Sequence, residues 1–147
     1  MRDPGKPIVK YLVRAGELAV KKLETNNSKG QLKGLAATHL EIITYLLRKG
    51  PASMQSLSQA LERDKSTITV LVRKLVAAGL VTRKAMPGDA RVVIISLTAK
   101  GAALRTPILR TFLKTERALV SRLTAGEEQQ LFFLLEKVYT GLAAQKR

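Results

Sequence analysis

The apolar positions of this chain recur at helical spacing along most of its length. Apolar residues return every three or four positions over residues 8–24, 37–48 and 125–145, with polar or charged residues between them. This period matches the 3.6 residues of a helical turn and predicts amphipathic helices. The pattern therefore indicates a mainly helical fold.

Two sequence patterns predict where helices begin. Thr38 with Glu41, and Thr124 with Glu127, have the Thr-x-x-Glu spacing of a capping box. In such a box the Thr hydroxyl accepts a bond from the third helical amide, and the Glu side chain bonds back to the capping amide. We therefore expect these boxes at the starts of the second and last helices.

The most specific pattern lies between residues 53 and 101. Ser53 can cap a short helix, and a second helix opens on Asp64-Lys65-Ser66-Thr67. Gly79 ends that helix where a left-handed residue is needed. Two short helices joined by a tight turn predict a helix-turn-helix.

A hairpin is predicted directly after this helix pair. Residues 80–85 and 91–97 are rich in β-formers, and turn residues fill 86–90 between them. Thr98 can then cap a further helix, in which Pro107 should cause a kink or a break. The predicted fold is mainly α with a small β-hairpin wing (α+β), a winged helix-turn-helix with helices at both ends.

Net charge adds an argument about partners. The 147 residues hold 26 Lys+Arg against 11 Asp+Glu, which gives +15 and a pI near 10.6. A basic excess of this size favours a polyanionic partner, and the alternative is a chain that is merely basic and soluble. Residues 63–91 carry seven cations and two carboxylates, so this segment alone is +5.

The residue inventory argues against an enzyme. There is no Cys, His39 is the single histidine, and no Gly-rich phosphate loop is present. Nucleophilic, metal-assisted or phosphate-transfer chemistry would need such groups, so we expect no catalytic residues, no metal and no cofactor. For His39 we expect a surface or structural role, the alternative being pH or ligand sensing.

No feature of the sequence predicts a membrane protein. No apolar run approaches the roughly 20 residues of a membrane-spanning helix. The polar residues 1–7 are not followed by the apolar segment of a signal peptide. We expect a soluble, cytoplasmic protein that has no membrane partner.

Three motifs together resemble the MarR family of bacterial and archaeal transcriptional regulators. They are DKSTITVLVRKL at 64–75, GLVTR at 79–83 and LTAKG at 97–101. The resemblance extends over roughly residues 35–138 and is most specific in the second helix of the helix-turn-helix and in the wing. It implies a nucleoid-associated regulator that binds double-stranded DNA.

The resemblance also implies an assembly and a division of the chain. It implies a single domain, 1–147, in which 8–24 and 99–145 form a helical dimerisation region and 37–98 the DNA-binding region. A homodimer would bind a pseudopalindromic operator, as a repressor. Such proteins often bind a small-molecule effector between the two regions, and the sequence does not identify it. The alternative function is a basic DNA-binding protein of low sequence specificity with an architectural role.

Candidate DNA contacts come from the second helix of the helix-turn-helix (the recognition helix), from the residues beside it and from the wing. The family pattern places five residues in or beside the major groove: Ser66, Thr67, Thr69, Val70 and Arg73. Six further candidates for base or phosphate contacts are Ser53, Lys65, Lys74, Arg83, Lys84 and Arg91. Hydroxyl and cationic side chains suit both base edges and phosphates, although a solvated helix face would have a similar composition.

The wing departs from the family pattern. The family usually has Asp-x-x-Asp-Arg-Arg there, whereas this chain has Met86-Pro87-Gly88-Asp89-Ala90-Arg91. Met86 replaces an acid, and Ala90 replaces the arginine nearest the wing tip, which commonly enters the minor groove. Either Arg91, Lys84 or Arg83 substitutes for it, or the wing contacts phosphates only.

Overall fold

The computed structural model describes residues 5–145. Within these residues there are seven α-helices, three strands and one 3-10 turn at Gly30–Leu32. The helices and strands are α1 (Ile8–Asn26), α2 (Ala37–Lys49), β1 (Ala52–Ser53), α3 (Met54–Ala60), α4 (Lys65–Ala77), β2 (Val81–Met86), β3 (Asp89–Leu97), α5 (Ala99–Ala102), α6 (Arg105–Leu119) and α7 (Ala125–Ala144). The predicted class, mainly helical with a small β element, is confirmed.

The sheet contains one strand that the sequence did not predict. Within residues 5–145 it has three antiparallel strands in the order β1-β3-β2. In β1, Ala52 pairs with Ile95 and Ser53 pairs with Ile94. A two-residue strand has no measurable period, so no pattern could show it. Ser53 nevertheless caps α3 as predicted, because its Oγ accepts a hydrogen bond from the Ser56 amide at 3.0 Å.

The hairpin turn is tighter than predicted. Pairing of β2 with β3 is regular from Val81 opposite Leu97 to Ala85 opposite Val93, and after a register shift Met86 lies opposite Asp89. The turn is thus the two residues Pro87-Gly88, not the five residues 86–90. Gly88 has φ +87°, a left-handed conformation that glycine adopts without strain.

One hydrophobic core lies beneath the helix-turn-helix. Its fully buried side chains come from α2, α3, α4 and β3, and include Leu40, Ile43, Leu57, Ile68, Leu75 and Ile95. Leu104 and Ile108 extend the core to the start of α6. This packing holds α4 with one face buried and the other in solvent.

One of the two predicted capping boxes is wrong. The helix α2 begins at Ala37 with Ala36 as N-cap, so Thr38 already lies inside it. The Ala36 amide donates instead to His39 Nδ1 at 3.0 Å. The box of α7 is confirmed, since Thr124 and Glu127 exchange both expected bonds, at 2.8 and 3.3 Å.

The predicted break in the fifth helix is present, but not at the proline itself. Helix α5 ends at Ala102 and α6 begins at Arg105, which makes Pro107 the third residue of α6. Amides in the first turn of a helix have no intrahelical partner, so proline costs little there. The helix is therefore interrupted about one turn before the proline.

The apolar faces of the first and last helices are largely exposed. Leu23 is the buried residue of α1, whereas Ile8 is 64% exposed. No described residue of α7 is buried, and its apolar side chains Leu131, Leu134, Leu135, Val138 and Leu142 are all exposed. None of the helices described is long and apolar enough to cross a membrane.

Candidate nucleic-acid interface

Asp64 organises the first turn of α4. Its Oδ1 accepts hydrogen bonds from the Ser66 hydroxyl at 2.5 Å and from the Thr67 amide at 2.7 Å. Its Oδ2 accepts from the Thr67 hydroxyl at 2.9 Å. These bonds, the Ser66 hydroxyl first, lower the pKa of Asp64 to about 2. The carboxylate stays ionised at neutral pH and caps the helix.

These and a neighbouring bond use the hydroxyl hydrogens of three residues that were predicted to contact DNA. Ser66 and Thr67 donate to Asp64, and Thr69 Oγ1 donates to the Lys65 carbonyl oxygen at 2.7 Å. A hydroxyl has one hydrogen to donate and two lone pairs that accept. In this arrangement the three side chains present acceptors, which fit amino groups on bases and do not fit phosphate oxygens.

The exposed face of α4 carries cationic residues together with the apolar residue Val70. Ser66, Val70 and Arg73 follow one another at intervals of four and three residues and are all exposed, so they form one stripe along the helix. Lys65 and Lys74 flank that stripe and are exposed as well. This face can therefore approach a polyanion without losing core contacts.

The turn between α3 and α4 is held by polar contacts. The Ser58 hydroxyl donates to the Arg63 carbonyl oxygen at 2.6 Å. The Arg63 guanidinium lies 3.6 Å from Glu41 of α2. These contacts fix the direction in which α4 leaves the turn.

The wing presents three of the predicted cations. Arg83 and Lys84 are exposed on β2. Arg91 is 96% exposed, and its Nε lies 3.6 Å from Asp89 Oδ1. The same oxygen accepts a hydrogen bond from the Arg91 amide at 3.0 Å. The carboxylate thus holds the base of the Arg91 side chain near the turn.

The wing is attached to the end of α4 by the start of α5. Thr98 Oγ1 donates to the Gly79 carbonyl oxygen at 2.6 Å, and Lys100 Nζ donates to the Ala78 carbonyl oxygen at 2.9 Å. A Cβ at Gly101 would lie 2.0 Å from the Leu80 carbonyl oxygen, so the two backbones are in close contact. Lys100 therefore caps the C-terminus of α4.

Ser53 does not lie with the other candidates on the exposed face of α4. It is half-buried in β1, and its hydroxyl bonds with Ser56 of α3. A contact from Ser53 to DNA stays a prediction that these bonds do not favour.

His39 is buried where α2 faces α4. Burial lowers its pKa, and the charge of Lys74 lowers it further. Since Nδ1 accepts from the Ala36 amide, the neutral imidazole fits this position. The structural role predicted for His39 agrees with this geometry.

A cavity of about 300 Å³ lies between α2, α3 and α6. Tyr45, Leu61 and Phe112 form apolar walls, and the charged lining residues are Glu41, Arg48 and Lys49. The hydroxyl of Thr44, which also lines it, is buried and has no hydrogen-bond partner among residues 5–145. The cavity can thus accept a small molecule with an apolar body and a polar group. Within the same residues, no cluster of His, Asp or Glu could hold a metal ion.

Known proteins are similar to this chain in sequence and in fold. The model of the MarR family matches residues 35–93. The transcriptional repressor NicR of Pseudomonas putida is 34% identical over 103 residues, which cover 69% of this chain. The chain spans 65% of that relative's own length.

Two solved structures share the fold. A probable transcriptional regulator from Pseudomonas aeruginosa has a TM-score of 0.80 at 26% identity, covering 90% of this chain and 97% of its own. A mutant of MarR from E. coli, solved in complex with operator DNA, has a TM-score of 0.81 at 24% identity. That match covers 90% of this chain and 93% of the MarR chain.

Proposed function

Because the chain belongs to the MarR family of transcriptional regulators, we propose that it binds a pseudopalindromic operator in double-stranded DNA as a homodimer and represses transcription. The observation that carries the proposal is the exposed stripe of α4, which includes Arg73 and is followed along the chain by the basic β2–β3 wing. A helix of this kind fits the major groove. We assign residues 37–98 to DNA binding.

The exposed apolar faces at both ends of the chain support the homodimer. A groove of about 760 Å³ runs between α1, α6 and α7, and Tyr11, Leu12, Leu119, Leu131 and Leu135 line it. Apolar surfaces of this extent are rarely left in water by a stable protein. We propose that residues 8–24 and 99–145 of a second copy cover them.

The cavity between α2, α3 and α6 is the proposed effector site. It touches the last turns of α2 and α3, and α3 and α2 both pack against α4. A ligand there would change the position of α4 and so alter the affinity for DNA. Binding is testable by calorimetry with small aromatic acids, and Phe112→Ala should weaken it while leaving operator binding without ligand unchanged.

Regulators of this family are generally DNA-binding proteins without enzymatic activity. We propose the same of this chain, acting in the cytoplasm on the nucleoid. NicR is named a repressor, which is the reason for choosing repression over activation.

A selection from fragmented genomic DNA with the purified chain tests the proposal. Enrichment of an inverted repeat whose half-sites lie about one helical turn apart is the expected result. Uniform recovery of fragments would instead support an architectural protein of low specificity, which the loss of the wing-tip arginine at Ala90 favours.

A further inference from the structure

Val70 is an apolar residue in the middle of the predicted DNA-binding face. It is 62% exposed, more than Val76 (40%) on the same helix or Met86 (45%) at the wing tip. It lies between Ser66 and Arg73 on the exposed stripe, with the core on the opposite side of α4. Packing within this chain therefore does not account for a branched apolar side chain at this position.

A shallow hollow lies beside Val70. It has a volume of about 280 Å³ and is lined by Ser66, Thr67, Val70 and Leu71. The hydroxyl hydrogens of Ser66 and Thr67 are both donated to the Asp64 carboxylate. The lining side chains thus offer apolar surface and acceptor lone pairs, and no free hydrogen-bond donor.

The apolar part of this lining matches one group in the major groove, the 5-methyl group of thymine. Phosphate oxygens, guanine N7 and O6, and adenine N7 are all hydrogen-bond acceptors. A lining without donors cannot form hydrogen bonds with them. A thymine presents its 5-methyl group, and the adenine paired with it presents an N6 amino donor. A T·A pair therefore supplies both an apolar group for Val70 and a donor for the Ser66 or Thr67 oxygen.

We propose that Val70 is a specificity-determining residue that packs against the 5-methyl group of a thymine in each operator half-site, with the hollow accepting that methyl. The inference rests on the proposed function, since it requires α4 to enter the major groove. It goes beyond that function by naming the base feature that this residue recognises.

The test replaces thymine by deoxyuridine, which lacks only the 5-methyl group. Each thymine of one half-site in the selected operator is replaced in turn, and affinity is measured by fluorescence anisotropy with the full chain. We expect one position at which the replacement weakens binding by roughly fourfold, the effect of exposing one methyl group. Replacing cytosine by 5-methylcytosine at that position in a T-to-C variant should restore part of the loss.

Two variants assign the effect to Val70. Val70→Ala should lower affinity for the thymine operator and respond little to deoxyuridine at the sensitive position. Val76→Ala, on the same helix but off the stripe, should keep the full response. The inference is overturned if no deoxyuridine position weakens binding, or if Val70→Ala retains the fourfold response.

Different results would refute the proposed function and the role of Val70. If the selection yields no inverted repeat, the proposed function fails and this inference fails with it. If an inverted repeat is bound but its affinity does not depend on any thymine methyl, the proposed function stands and only the role of Val70 is refuted.

Discussion

At the scale of single residues, the recognition face is shaped by bonds that a sequence pattern does not contain. The sequence predicted Ser66, Thr67 and Thr69 as polar groups facing DNA, and the structure directs all three hydroxyl hydrogens back into the chain. The acceptor to which a hydroxyl donates depends on distances of a few tenths of an ångström, so residue type alone could not predict these bonds. Arg73, by contrast, is exposed as its position in the helical period predicts.

Arg73 should contribute base preference. Arg73→Ala is expected to weaken operator binding by about 1–3 kcal/mol and to relax the preference at one base pair, as the loss of a bidentate contact to guanine would. Affinities for a panel of single-base operator variants measure both effects. An unchanged affinity and preference would mean that the recognition surface lies elsewhere.

Lys84, a cation on the wing, is the control for the effect of Arg73. It is exposed on the wing, where a phosphate contact carries no sequence information. Lys84→Ala should lower affinity for operator and random DNA alike, and make the slope of log affinity against log salt shallower by about one. Selective loss of operator binding would instead assign base readout to the wing.

Asp64 should make stability depend on pH at the acid end. Its pKa of about 2 in the folded chain lies below the 3.8 of an unperturbed aspartate, so its stabilising effect is present above the unperturbed pKa and is lost as pH falls towards 2. Asp64→Asn keeps an N-cap acceptor without the titration. Thermal melts at pH 5 and pH 2.5 should show the wild type losing its advantage over Asp64→Asn; an advantage of equal size at both pH values would contradict this.

At the scale of helices and strands, long periodic segments could be predicted and short irregular ones could not. The helix pair around residue 64, its stop at Gly79 and the hairpin follow from hydrophobic period and turn residues. The strand β1 is too short to have a period, and its existence depends on pairing with β3. The predicted start of α2 near residue 37 agrees with the structure, but its predicted cap is wrong, because the Ala36 amide bonds to the side chain of His39 and Thr38 lies inside the helix.

Gly101 tests the attachment of the wing to α4. In Gly101→Ala the new Cβ would meet the Leu80 carbonyl oxygen, a backbone atom that cannot move aside, and Leu97 Cδ2 at 3.1 Å. We expect a loss of about 1–3 kcal/mol in the free energy of unfolding, measured by urea titration. Gly126→Ala, which has nothing within 4 Å of the added Cβ, is the control and should cost little. Equal stability of both variants would refute the close packing.

At the scale of the whole molecule, the core of the helix-turn-helix is complete within one chain. The helices at the two ends of the chain are only partly packed. The core is built by α2, α3, α4 and β3, with the start of α6. The helices α1 and α7 leave most of their apolar residues exposed. Their helical period was plain in the sequence, but a period does not distinguish a face that packs in the same chain from one that packs on a second copy.

Removing the last helix should therefore disrupt the assembly while sparing the core. Truncation before Thr124 removes α7, none of whose described residues is buried in the single chain. We expect the truncated chain to remain folded by circular dichroism and to sediment as a monomer. A stable dimer after this truncation would refute the role that we assign to α7.

The most direct test of the central claim is a titration of the selected operator and of a scrambled duplex at two salt concentrations, with stoichiometry from analytical ultracentrifugation. We expect two protomers per inverted repeat and an affinity at least about 10³-fold higher for the operator than for the scrambled DNA at physiological salt. Similar affinities for the two duplexes, both falling steeply with salt, would show that charge alone drives binding and would contradict a sequence-specific dimeric regulator.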